Sequence, residues 1–155
     1  MGNINSCWGE KGAKCVATMS RSAYVAHSFP VTNYSLLKRP KGEGVGEFIS
    51  SETFTAGGYK WSIRFYPNGA DWETAGYAAA DLCLRGGEAA TRRRGRVETQ
   101  FTLSLLGTDG KVHRDCKASR EGVTHTFRSS KDTVGFRKFI RKSKLREDCF
   151  TIRQT

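Results

Sequence analysis

The sequence predicts an all-β protein, an antiparallel β-sandwich of seven or eight strands with one short helical segment. Short runs rich in aromatic and β-branched residues are separated by clusters of Gly, Pro, Asn and Asp, which is typical of strands joined by turns. The segment Tyr59–Phe65 alternates apolar and polar residues with the two-residue period of a half-buried strand. Only Val134–Leu145 has a helical rhythm, and 155 residues leave room for one domain of ordinary size.

Seven segments qualify as strands by their content of aromatic and branched residues. In chain order they are Ala23–Val31, Glu47–Thr55, Tyr59–Phe65, Tyr77–Leu84, Val97–Leu106, Val123–Arg128 and Cys149–Arg153. The third strand ends in turn chemistry at Tyr66-Pro67-Asn68-Gly69, and Gly107-Thr108-Asp109-Gly110 is a hairpin-type connection. Short strands joined in this way favour two antiparallel sheets packed face to face.

The N-terminal twenty residues differ from the remainder of the chain. They are polar and aperiodic, so we predict a disordered leader over residues 1–20 and one domain over residues 21–155. The chain begins with a myristoylation pattern at Gly2, and Cys7 could carry a second acyl chain. One myristoyl chain binds membranes only marginally, so contact with a membrane is expected only if these residues are lipidated.

The charge of the chain favours acidic partners. The 26 basic residues exceed the 15 acidic ones, for a net charge of +11, and many lie in two runs, Arg92–Arg96 and Arg137–Arg146. One interpretation of these runs is a solvated basic surface. The alternative is a domain that binds nucleic acid or another anionic surface, although the runs lack the interleaved aromatic residues of a single-strand platform apart from Phe136 and Phe139.

No pattern of catalytic or metal-ligating residues is present in the sequence, so we predict neither an enzyme nor a bound metal or cofactor. The five cysteines form no CxxC pair and combine with no histidine into a zinc signature. Acidic residues such as Asp71 and Asp81 are scattered, and a solvated role is expected for them. The odd cysteine count without a signal segment favours a reducing compartment, the cytoplasm or the nucleus.

Several short motifs, in their order and spacing from about Ala23 to Ile152, resemble one known family. The motifs are Asn33-Tyr34-Ser35, Val45–Ser51, Gly57–Ile63, Tyr66–Gly69, Phe101-Thr102-Leu103, Gly135–Arg141 and Asp148–Ile152. Together they resemble the MATH (meprin and TRAF homology) domain, most of all that of plant proteins that join a MATH domain to a BTB domain. The resemblance implies a TRAF-like β-sandwich over residues 21–155, here without the BTB domain.

The resemblance also implies a function in protein binding. MATH domains of this kind hold a substrate protein through an extended peptide rich in Ser and Thr, which adds to a sheet as a strand. The BTB domain docks a cullin ubiquitin ligase. The chain is therefore expected to be a substrate-recognition module of such a ligase adaptor, with BTB or cullin components as partners if a BTB domain is supplied elsewhere. Otherwise it is a MATH-only product without ligase recruitment.

Positions of the family's peptide groove carry over to eight residues of this chain. They are Tyr77, Phe101, Thr126, Thr133, Val134, Gly135, Phe136 and Arg137. Tyr77 and Phe101 match aromatic residues of the groove, although both could instead be core residues. Val134 stands where the family has Trp, and the groove tyrosine of the preceding strand falls near Thr126, so the usual peptide is expected to bind more weakly or differently.

Overall fold

The computed structural model describes residues 2–5, 20–23, 26–86, 97–116, 122–129 and 132–155. These residues form twelve strands, one short α-helix and one 3₁₀ helix. The strands are β1 (Gly2–Asn5), β2 (Ser20–Ala23), β3 (His27–Val31), β4 (Ile49–Ser50), β5 (Phe54–Ala56), β6 (Tyr59–Tyr66), β7 (Tyr77–Gly86), β8 (Val97–Phe101), β9 (Leu103–Leu106), β10 (Val123–Phe127), β11 (Thr133–Arg141) and β12 (Phe150–Gln154). The helix α1 spans Tyr34–Leu37, and the 3₁₀ helix spans Lys142–Lys144.

The first layer of the fold is a five-stranded antiparallel sheet. Strand β7 lies between β6 and β11, and the short strands β4 and β5 both pair with the far edge of β6. The predicted alternation along β6 is confirmed, because Trp61, Ile63 and Phe65 are buried in the core. Lys60 and Arg64 project from the opposite face, as a two-residue period requires.

The second layer is assembled from two smaller sheets joined end to end. Strand β12 pairs with β3 and β9, and β8 pairs with β10. Only Thr102 separates β8 from β9, and its amide and carbonyl exchange hydrogen bonds with the backbone of Thr155 at 2.8 and 3.0 Å. If β8 and β9 count as one interrupted strand, and β4 and β5 as another, each layer has four strands. The predicted antiparallel sandwich is therefore confirmed.

The core fills the space between the two layers. Trp61 of β6 meets Phe127 of β10 with ring centroids 5.1 Å apart, and Phe65 of β6 meets Phe150 of β12 at 5.4 Å. Both pairs are edge-on, which suits the charge distribution of aromatic rings. These contacts hold the layers together across the sandwich and set the spacing of their edges.

The helical segment predicted for Val134–Leu145 is wrong. Most of this segment is the strand β11, and only its end, Lys142–Lys144, forms a 3₁₀ helix. A shift in the register of β11 on β7 between Phe136 and Ile140 lets the consecutive residues Phe139 and Ile140 both be buried. A bulge of this kind breaks the two-residue period, and the resulting apolar spacing imitates a helix.

The first predicted strand is divided in the structure. Near the N-terminus Gly2–Asn5 pairs antiparallel with Ser20–Ala23. Most of residues 1–20 lie outside the described residues, so the disordered leader stays a prediction. Strand β3 begins only at His27. Cys7 lies outside the described residues, so lipidation of Gly2 and Cys7 stays a prediction, as does the domain boundary. No helix among the described residues has the length and apolar character needed to cross a bilayer.

Candidate functional site

The predicted segment Thr133–Arg137 lies on an open edge of the sandwich. Strand β11 is the last strand of the first layer, and β10 is the last strand of the second. Within the described part of the chain, no further strand pairs with either outer edge. Free backbone amide and carbonyl groups along such an edge can pair with an added peptide strand.

The register of β11 on β7 decides which way each residue of this segment faces. Val134 lies opposite Leu82 and Phe136 opposite Ala80, both of which are core residues of β7. Because residues opposite each other in an antiparallel pair share a face, Val134 and Phe136 lie on the core side. Both are only partly buried there, so an apolar side of the edge stays accessible.

Gly135 faces the other way, and no larger residue fits at its position. A Cβ atom at Gly135 would collide with the carbonyl oxygen of Ala80 and would lie 2.6 Å from both Cα and Oδ1 of Asp81. The space that a side chain would need is therefore occupied by the neighbouring strand. The glycine is required here by close approach of backbone and carboxylate.

Asp81, for which the sequence predicts a solvated role, belongs to this site. It lies opposite Gly135 on β11 and Arg64 on β6, on the outer face of the central strand β7. Burial raises the pKa of the Asp81 carboxyl, against the opposing effects of the Tyr66 hydroxyl and of the Arg137 and Arg64 guanidiniums. The sequence does contain a signal for this role, because Asp81 is the one charged residue inside the apolar run Tyr77–Leu84.

Arg137 ties the site to the loop that precedes β7. Its guanidinium forms an ion pair with Asp71 at 2.5 Å, while Asp71 also accepts hydrogen bonds from the amide and hydroxyl of Thr74 at 2.8 and 2.7 Å. The Thr74 bonds and Arg137 together lower the pKa of the Asp71 carboxyl. Arg137 nevertheless remains exposed beside Phe136, where it can contact a ligand.

Two of the predicted groove residues lie elsewhere. Phe101 is only 1% exposed and belongs to the core, the alternative that the sequence left open. Tyr77 pairs with Arg141 at the far end of β11, and Arg141 and Lys138 lie over its ring at 5.2 and 5.7 Å. Tyr77 lies four positions before Asp81, which places it about 13 Å along the strand from the Gly135 position.

Thr126 does not face the candidate site either. It lies one position along β10 from a core-facing residue, and consecutive residues of a strand face opposite sides of the sheet. It lies opposite Glu98, on the side of β10 away from the first layer. Its neighbour His125 shares the core-facing side with Phe127, and their rings meet edge-on at 4.7 Å. The Nε2 atom of His125 lies 4.0 Å from Oδ2 of Asp132.

The basic run at Arg137–Arg146 is largely committed to contacts within the fold. Lys142 is buried, and its Nζ donates a 2.6 Å hydrogen bond to the carbonyl of Arg39. Lys138 and Arg141 cover Tyr77, and Arg137 pairs with Asp71. The other run, Arg92–Arg96, lies outside the described residues. Lys144 and Arg146, at the end of the run Arg137–Arg146, are exposed.

Comparison with known proteins agrees with this architecture. A family model of the MATH domain matches residues 26–154. BTB/POZ and MATH domain-containing protein 4 of Arabidopsis thaliana is 33% identical over 141 residues, covering 84% of this chain and 28% of that protein. TNF receptor-associated factor homolog 1b of the same plant is 32% identical over 104 residues, covering 63% of this chain and 9% of that protein. Among solved structures, TRAF5 of Notothenia coriiceps matches with a TM-score of 0.60 and 17% identity, covering 84% of this chain and 72% of the other.

The matches differ in what they establish. The likeness to TRAF5 concerns the fold alone, because the sequence identity is low. The chain spans 28% to 32% of the length of the BTB/POZ relatives it matches. The family model covers most of the chain and nearly all of its described strands. The resemblance inferred from the sequence motifs is therefore confirmed, and the chain belongs to the MATH domain family.

Proposed function

We propose that the chain is a protein-binding module that takes an extended peptide rich in Ser and Thr along the free edge of β11. MATH domains serve in general as protein-interaction modules rather than as catalysts. The observation that carries the proposal is the segment Val134–Arg137 on an edge strand, with alternating apolar and polar sides. A ligand strand paired with β11 would place alternate side chains toward Phe136 and toward Gly135.

The proposed role in the cell follows from the relatives. The BTB/POZ relatives combine their MATH region with a BTB domain, and such a domain supplied in the same protein or by a partner would connect a bound substrate to a cullin ligase. Without such a connection the module would bind substrates and not deliver them. The match over the MATH region supports a substrate-binding module with or without such a connection. We place this activity in the cytoplasm or the nucleus.

Replacing Phe136 by Ala tests the peptide site. Phe136 is a partly exposed aromatic residue next to Gly135, and truncation of an aromatic anchor commonly costs about 2 kcal/mol, or about thirty-fold in affinity. We expect a loss of this size for peptides derived from proteins that the wild type captures from a proteome, measured by isothermal titration calorimetry. Phe136→Leu, which retains apolar packing, should lose less.

Leu36→Ala is the matched control, since Leu36 is an apolar residue that is 80% exposed on α1 and belongs to neither β10 nor β11. It should leave the affinity unchanged. Thermal melts of all variants separate loss of binding from loss of folding. Equal affinities of wild type and a folded Phe136→Ala variant would rule out the peptide site on β11.

A further inference from the structure

Asp81 lies in the middle of a strand that is otherwise apolar and buried. Its neighbours along β7, Ala79, Ala80, Leu82 and Cys83, are each at most 2% exposed. A carboxylate in such surroundings is costly, because burial disfavours its charged form. Residues that are unfavourable for the fold at a surface cleft are candidates for a role in function.

The Asp81 carboxylate leans toward the free edge of β11. Its Oδ1 lies 2.6 Å from the point where a Cβ of Gly135 would be, so it covers the glycine and fills the place of the missing side chain. A peptide strand paired with β11 would bring its own Cβ about 4.5–5.5 Å from that same point, on the same face. A short side chain on the peptide would therefore reach the carboxylate.

The carboxylate has acceptor capacity left for a ligand. The Tyr66 hydroxyl donates one hydrogen bond, whereas a carboxylate offers about four acceptor positions. No Lys or Arg of the described ranges forms an ion pair with Asp81. Of the two guanidiniums that act on it, Arg137 pairs with Asp71, and Arg64 lies over the ring of Phe48 at 4.4 Å with a buried Nε that has no hydrogen-bond partner among the described residues.

We infer that Asp81 selects a Ser or Thr in the bound peptide, by accepting a hydrogen bond from its hydroxyl at the residue opposite Gly135. This inference rests on the proposed function, because it needs a peptide paired with β11. It assigns to one residue of this chain the recognition of one ligand position.

The surroundings of Asp81 favour a short neutral donor over a charged one. The positive charges of Arg64 and Arg137 act on Asp81 from both sides, so they would offset much of the attraction between Asp81 and a Lys or Arg side chain. An acidic side chain would meet the Asp81 carboxylate itself. A hydroxyl avoids both costs.

The test uses peptides selected from a random display library on the wild-type chain and kept only if their binding depends on Phe136. Alanine scanning of one such peptide finds the Ser or Thr with the largest effect. We expect replacement by Ala at that position to weaken binding to the wild type by about ten-fold or more, as for a hydrogen bond to a charged acceptor. On Asp81→Ala the same replacement should change affinity less than about three-fold.

Each other outcome has a distinct meaning. A hydroxyl preference that persists in Asp81→Ala overturns the inference and leaves the proposed function intact. Enrichment of Lys or Arg at that position does the same. Failure of the wild type to select any Phe136-dependent peptide overturns the proposed function, and the inference with it.

Asp81→Asn keeps the test independent of folding defects. Because the folded state raises the pKa of Asp81, its charge opposes folding at neutral pH, and Asn should leave Tm at pH 7 equal or higher. The difference in Tm between Asp81→Asn and the wild type should shrink as the pH falls, because the Asp81 carboxyl, which lies among Arg64, Tyr66 and Arg137, becomes protonated. A marked fall in Tm for Asp81→Asn would mean that Asp81 serves the fold, contrary to the inference.

Discussion

Among single residues, Gly135 and Asp81 form one unit. The glycine leaves room for the carboxylate, and the carboxylate occupies the room that any other residue would need. The sequence motif identifies Gly135 as a groove residue and suggests approach to a ligand as the reason for glycine. The structure adds a second reason, which is approach of β11 to β7.

Replacing Gly135 by Ala should therefore damage the fold as well as the site. The added Cβ would collide with the carbonyl oxygen of Ala80, and strand separation of this kind costs about 1–3 kcal/mol. Chemical denaturation should report this loss, and amide exchange along β11 should accelerate. Gly76→Ala is the matched control, because nothing lies within 4 Å of its Cβ position, and we expect a change within about 0.5 kcal/mol. Equal stability of the two variants would contradict the close approach of β7 to Gly135.

Among the elements, β11 and the 3₁₀ helix after it divide the basic run between two roles. Arg137 and Lys138 lie on the strand and are exposed beside the candidate site. Lys142 instead begins the 3₁₀ helix, and its ammonium reaches the loop before β4 through the carbonyl of Arg39. Burial, and to a lesser degree Lys38, lowers the pKa of Lys142. A basic run that suggests a charged surface thus contains a structural residue.

Replacing Lys142 by Ala should destabilise the chain by about 1–3 kcal/mol, the usual range for a hydrogen bond with a charged donor in a buried setting. Urea unfolding followed by tryptophan fluorescence measures it. Lys144→Ala removes the same charge from the same 3₁₀ helix at an exposed position, and should change stability by less than about 0.5 kcal/mol. If both variants behave alike, Lys142 acts only through its charge.

In the molecule as a whole, two four-stranded layers leave β10 and β11 as neighbouring open edges. These two strands come from different sheets and contact each other, so their edges lie on one side of the sandwich. The net charge of +11 acts over a longer range, as a field around the whole chain. Peptide binding at the edge and attraction to polyanions should therefore be separable.

Salt should separate the two kinds of binding. Any affinity for DNA would arise from phosphate contacts, and a surface that makes about three of them loses about forty-fold between roughly 50 and 200 mM salt. Binding of a Phe136-dependent peptide should change less than about three-fold over the same range. Fluorescence anisotropy with both ligands, on wild type and Phe136→Ala, measures this. DNA binding that resists salt and requires Phe136 would favour the nucleic-acid interpretation instead.

Much of the candidate site was predictable, and the differences have one physical cause. Gly135, Phe136 and Arg137 follow from a local motif, and the structure brings them to an open edge. Thr126 misses the core-facing side of β10 by one residue, and in a strand one residue reverses the face. Asp81 was missed because its importance depends on which residues lie opposite it.

Local patterns were enough to establish the all-β class, the positions of most strands and the family, because alternation, turn chemistry and short motifs are properties of neighbouring residues. The faces of the strands were assigned by tertiary contacts. The register between β7 and β11 places Asp81 opposite Gly135. A bulge after Phe136 gives the strand β11 an apolar spacing that resembles that of a helix. Packing of the two layers buried Phe101 and left Phe136 accessible. Such outcomes depend on residues far apart in the chain, whose pairing no local pattern specifies.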